Sequence, residues 1–126
     1  MQFNLNYHDG IFEVTTSGDA VAQVFNDFAK ALFEHEEWKP GEVILLNHSE
    51  LNAGTLTNDD IRAIASISGL YCEQFGEAKV ACLVGRELEY GMARMWQTFV
   101  DIKVVWSASE KLFMDRDEAV TWLKSV

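Results

Sequence analysis

Residues 79–106, KVACLVGRELEYGMARMWQTFVDIKVVW, constrain the fold more than any other stretch of the chain. An uninterrupted apolar run at 80–84 has the look of a strand buried on both faces. Gly85-Arg86 then turns the chain, and residues 87–99 carry apolar side chains at helical spacing. A second apolar run at 102–106 predicts another buried strand. Strand, helix and strand in that order form a crossover, the unit from which parallel sheets are built. On the helix, Leu88, Met92, Met95 and Phe99 form the stripe expected to face the sheet. Glu87, Gly91, Arg94 and Thr98 form a neighbouring stripe, in which Gly91 would allow something to approach closely.

The rest of the chain fits an α/β domain around this unit. Phe3, Leu5 and Tyr7 alternate with polar residues up to Asp9-Gly10, and Ile11, Phe12, Val14 and Thr16 continue beyond it. Asp-Gly between two such runs predicts a two-residue hairpin. Ser17-Gly18-Asp19 is expected to cap a helix whose inner face is Val21, Val24, Phe25, Phe28 and Leu32. Pro40-Gly41 marks a turn, and residues 43–46 predict a short buried strand. Residues 47–56 are expected to form the longest loop. Thr57 with Asp60 three positions later is a capping-box variant that opens a second helix with Ile61, Ile64, Ser68, Tyr71, Cys72 and Phe75 inward and Gly76 at its end. Residues 107–113 are expected to be a loop. Asp115 and Glu118 then open a final helix carrying Ala119, Val120, Trp122 and Leu123. The expected architecture is one domain over residues 1–126. Its mostly parallel central sheet carries an antiparallel hairpin at one side and is covered by helices.

Composition narrows the function classes. A net charge of −10 disfavours nucleic acid and anionic membranes, both of which recruit basic patches. No apolar run approaches the ~20 residues needed to span a bilayer. The first residues lack the basic and apolar blocks of a secretory signal, and Cys72 and Cys82 read as reduced core thiols, so a cytoplasmic location is expected. Three histidines and two cysteines show no metal-ligand spacing, and Gly85 alone is far from a phosphate-cradling loop. No metal and no cofactor are expected.

In open α/β sheets, ligands gather beyond the carboxyl ends of parallel strands. The loops expected there bring Asn47, His48, Ser49, Arg86, Glu87 and Ser107 together, with Thr57 at the second helix start. Tyr90, Gly91 and Arg94 flank them on the third helix. Arg86 at a helix N-terminus either forms an anion site with the free backbone N–H groups or pairs with Glu87, Glu89 or another carboxylate. Arg94 has the same two readings. His48 and Ser49 are adjacent and lack a nucleophile-elbow motif, so they read as loop residues rather than a catalytic pair. His8 and His35 are expected to be solvated. Met92, Met95 and Trp96 read as core, with a partner surface at Trp96 and Tyr90, which fall off the apolar stripe, as the alternative.

The run Glu89-Tyr90-Gly91-Met92-Ala93-Arg94-Met95-Trp96 resembles the Gly-hydrophobic-Ala-Arg-Met-aromatic helix of the SpoIIAA-like family, small bacterial STAS-type domains also described as Sec14-like. The closing Asp117-Glu118-Ala119-Val120-Thr121-Trp122-Leu123 is similar to that family's last helix. The resemblance implies a non-catalytic regulatory module that docks a protein partner or self-associates. By the Sec14-like analogy it also implies a carrier of a small amphipathic ligand with its anionic end at Arg86 or Arg94. The phosphorylatable Ser-Ser-Gly of better-known STAS domains is absent here. Thr57 and Ser49 remain as acceptors, but Asp59 and Asp60 already place negative charge at that helix start. A third reading, an enzyme, would need His48 or Glu87 within reach of a substrate in a real cleft.

Overall fold

The structure, a computed structural model, describes the backbone of residues 1–103 and 108–125, and the side chains of these except at 99–103. A five-stranded sheet runs in the order β1 (Gln2–His8), β2 (Ile11–Asp19), β3 (Val43–Asn52), β4 (Lys79–Val84) and β5 (Ser109–Phe113). β1 is antiparallel to β2, and all later pairs are parallel. Asp9 and Gly10 turn the hairpin with φ of 51° and 75°, the left-handed pair that the Asp-Gly signal predicts.

The strands lie in chain order, so each right-handed crossover returns its helix to the same face. α1 (Ala22–Phe33), α2 (Asn58–Leu70), the single turn α3 (Cys72–Phe75) and α4 (Glu87–Lys103) therefore cover one side. On this side Phe12, Ile44 and Val80 meet Leu32 of α1 and Phe75 of α3. Among the described residues only α5 (Arg116–Lys124) covers the other side, where Ala119 and Leu123 pack on Ile11, Leu45, Ala81, Leu83 and Phe113. The α/β architecture with its antiparallel hairpin is as expected from sequence.

Several local expectations are corrected. Ser17, Gly18 and Asp19 do not cap a helix; they continue β2, and α1 starts from Val21 with no side-chain cap. β3 does not stop at Leu46, and the expected loop is strand as far as Asn52. Opposite Thr15 and Ser17 of β2 lie Asn47 and Glu50, so β3 carries one extra residue there, a β-bulge. The expected strand at 102–106 begins inside helix, because α4 runs to Lys103; residues 104–107 lie outside the described residues. The fifth strand comes instead from the expected loop, at Ser109–Phe113. Thr57 caps α2 as predicted, its hydroxyl accepting from the Asp60 N–H while the Asp60 carboxylate accepts from the Thr57 N–H.

Candidate functional site

α4 packs chiefly against α2 and only lightly on β4. Its inward face is Glu89, Met92, Ala93 and Trp96, the i, i+3, i+4, i+7 set one residue out of phase with the predicted stripe. Leu88, expected against the sheet, is 52% exposed, whereas Glu89 is 3% exposed. The reason is local. The first turn of α4 projects past the end of β4, and Glu89 is drawn inward by two partners. Arg86 Nε and a terminal nitrogen donate to its two oxygens at 2.6 and 2.8 Å, and the Ala53 N–H donates at 3.1 Å. Arg86 also reaches Asn52 Oδ1 at 3.1 Å. The guanidinium holds the Glu89 carboxyl below its ordinary range. Arg86 is thus a clasp between β3's end and α4, not a vacant anion site.

Behind the clasp lies a cavity of about 130 Å³. Phe25, Phe28 and Ala29 of α1 line it, with Leu46, His48 and Leu51 of β3. Ile61, Ile64, Ile67 and Ser68 of α2, Cys82 and Val84 of β4, and the inward face of α4 complete most of the wall. The lining is overwhelmingly apolar, and small side chains at Ala29, Ala93 and Cys82 leave the space unfilled.

Polar groups of His48, Ser68, Glu89, Trp96 and Glu110 interrupt this lining. His48 is buried beside the rings of Phe25 and Phe28, with centroids 5.6 and 6.0 Å away. Its Nδ1 lies 2.6 Å from the Thr16 hydroxyl. Burial holds its pKa down at about 4, so the ring is neutral at physiological pH. Trp96 Nε1 is buried and has no hydrogen-bond partner among the described residues. Trp96 therefore points inward, in line with its core reading and not with the alternative of a partner surface. Cys82 is also at the wall. Burial pushes its thiol well up, helped by the charge of Glu110, so it is an unreactive neutral group.

The residues singled out from sequence separate instead of converging. His48 enters the cavity, while Asn47 projects to the α5 side of the sheet. There the Asn47 amide donates to Glu13 at 3.1 Å and its oxygen accepts from the Ser49 hydroxyl at 2.6 Å. Thr57 is committed to its cap. Glu87 and Arg94 are exposed, and Tyr90 is half-buried on α4. Gly91 is exposed, and a side chain there would meet nothing within 4 Å, so it is not a point of close approach. That role belongs to Gly85, whose missing Cβ would stand 2.3 Å from the Ser49 carbonyl oxygen. Ser107 lies outside the described residues. The sheet order explains the dispersal. Ligand crevices at strand ends arise where strand order reverses, and a sheet laid down in sequence has no such point.

Sequence reading missed a second polar centre on the α5 side. Glu13 of β2 is nearly buried and accepts from both terminal nitrogens of Arg116, at 2.7 and 2.8 Å. His8 Nε2 lies 2.8 Å away, so His8 is engaged, not free in solvent. The Arg116 bonds hold the Glu13 pKa down at about 2. The only sequence signal was a carboxylate standing where alternation calls for an inward residue. Among the described residues no group of three or more His, Cys, Asp or Glu side chains could hold a metal ion, and no helix is long and apolar enough to cross a membrane.

No family model matches the chain, and no curated protein matches it.

Proposed function

We propose that this chain is a non-catalytic α/β domain that binds a small apolar molecule in the cavity under α4, as a carrier or sensor. The observation that carries the reading is the cavity itself: about 130 Å³, walled by apolar side chains from four helices and two strands. A dry apolar cavity of roughly 150 Å³ is enough to bind benzene. An enzyme built on His48 is disfavoured by the position of its hydroxyl partner. The Thr16 hydroxyl bonds His48, but Thr16 is fully buried and does not reach the cavity wall. An anionic ligand end at Arg86 is disfavoured by the Glu89 clasp.

Native mass spectrometry of gently purified protein, compared with its denatured mass, tests the reading. Added mass that disappears on denaturation, or uptake of toluene that is abolished by Ala93→Phe, is expected. Neither added mass nor toluene uptake would sink it.

The resemblance to SpoIIAA-like domains belongs to the same proposal, supported by the mixed sheet and by the Glu89–Trp96 run. A regulatory docking role is a second reading, favoured by three exposed apolar side chains. Val21, Leu88 and Met114 are 47%, 52% and 50% exposed and follow β2, β4 and β5 at the carboxyl end of the sheet. If self-association uses this rim, Leu88→Asp with Met114→Asp lowers the sedimenting mass without unfolding the protein.

A further inference from the structure

The hydrogen-bonding groups that the cavity leaves uncommitted narrow what it can hold. An indole N–H can only donate. Trp96 Nε1 is buried at this wall with no partner among the described residues. His48 adds a second polar group. The Thr16 hydroxyl is 2.6 Å from Nδ1 and 3.5 Å from the Asn47 carbonyl. Either Nδ1 or the hydroxyl can donate across the shorter contact, so the neutral ring offers the cavity a donor or an acceptor at Nε2. No protein group among the described residues bonds that nitrogen. Ser68 adds a hydroxyl able to donate or accept, and it too lines the wall.

The acceptor side is different. The Glu89 carboxylate is already taken by Arg86 and the Ala53 N–H. The charge of Glu110, also at the wall, raises the Cys82 thiol, so a carboxylate stands beside this part of the lining. An anion would face that carboxylate, and among the described residues no Lys or Arg lines the cavity. A charged ligand of either sign would also bear the desolvation cost of entering apolar surroundings.

Resting on the ligand-binding reading above, we infer that the cavity takes an uncharged, single-ring-sized molecule bearing one hydrogen-bond acceptor, a ketone, ether or aldehyde, which the Trp96 indole N–H grips. Volume sets the size, the apolar lining selects the body, and the unpaired donor selects the acceptor. The acceptor group replaces a hydrogen bond the folded protein otherwise forgoes, which is worth roughly tenfold in affinity.

The test is a probe series on the full chain: toluene, acetophenone and benzoate, followed by titration and by the indole N–H resonances. The expected result is that acetophenone binds about tenfold tighter than toluene and benzoate does not bind. The Trp96 indole N–H, assigned with Trp96→Phe, moves on adding acetophenone and not on adding toluene. Trp96→Phe levels the two affinities while toluene still binds. Toluene and acetophenone binding equally, with the Trp96 N–H unmoved in the native protein, would overturn the ligand class but leave the cavity reading standing. Binding of benzoate as tight as acetophenone would overturn it too. If none of the three probes binds, the cavity reading itself fails. The native-protein resonance keeps the test decisive even where the variant does not fold.

Discussion

Arg116, on the first turn of α5, holds both carboxylate oxygens of Glu13 on β2, across 103 residues of sequence. The two parallel bonds make a fork-to-fork contact, the strongest arrangement available to these groups. Glu13 is nearly buried, so its charge depends on its partners; Arg116 is about half exposed, so its own charge does not. The asymmetry sets the expected mutational result. Arg116→Met, which leaves a buried carboxylate to His8, Asn47 and Thr15, costs about 2–3 kcal/mol. Adding Glu13→Gln to Arg116→Met recovers part of that loss. Urea denaturation of the two single variants and the double variant checks the cycle, and strict additivity would contradict the pairing.

Acid should unfold the protein in two separable stages. His48 is held at about 4 in the folded state, below its ordinary 6.5. The unfolded chain takes up that proton first, so stability falls as pH drops from 6.5 towards 4. Glu13 is held at about 2, below its ordinary 4.5, so its contribution is complete above 4.5 and lost as pH falls towards 2. Each stage is worth about 3.4 kcal/mol at most. Denaturation free energies measured at half-unit steps of pH should show the upper stage missing in His48→Gln and the lower stage missing in Glu13→Gln.

Two glycines give opposite signs. At Gly85 an added methyl would collide with the Ser49 backbone, which cannot move without disturbing β3. Gly85→Ala is expected to cost about 2–4 kcal/mol. At Gly91 an added methyl meets nothing, and alanine is the better helix former, so Gly91→Ala gains about 0.5–1 kcal/mol. Thermal melts of the two variants decide the matter; a destabilised Gly91→Ala would restore that position as a site of close approach.

Glu89→Ala removes the carboxylate that accepts from the Ala53 N–H and leaves Arg86 held by Asn52 alone among the described residues. A loss of about 1–3 kcal/mol is expected. Its signature is local: amide exchange at Ala53 speeds up far more than exchange in the hairpin. Exchange that rises equally everywhere would mean the clasp has no role of its own.

What could be read from sequence was what short-range chemistry decides. Asp9-Gly10 demands positive φ, and Thr57 with Asp60 satisfies its own helix end, so both features were visible. β3 was cut short because the bulge breaks its alternation: Ile44, Leu46 and His48 face the helices, then the extra residue puts Leu51, not Glu50, on that side. β5 was hidden because an edge strand with polar residues on it carries little apolar signal; Phe113 is its one fully buried side chain. The phase of α4 was misread because pairing with the exposed Arg86 put a buried glutamate where the pattern calls for an apolar residue. Neither cavity nor clasp is a motif. Both arise from where elements distant in sequence stop.

The sequential strand order has a consequence for how the protein is made. Each strand pairs with the strand synthesised just before it, so a chain emerging from the ribosome can extend its sheet as it lengthens. The bridge from Arg116 to Glu13 is the exception, joining a late helix to the opening hairpin. Until α5 arrives, one face of the sheet is bare and a carboxylate sits within it without its guanidinium. A chain stopped short of those nine residues presents the exposed apolar surface and unpaired charge that chaperones and proteases act upon.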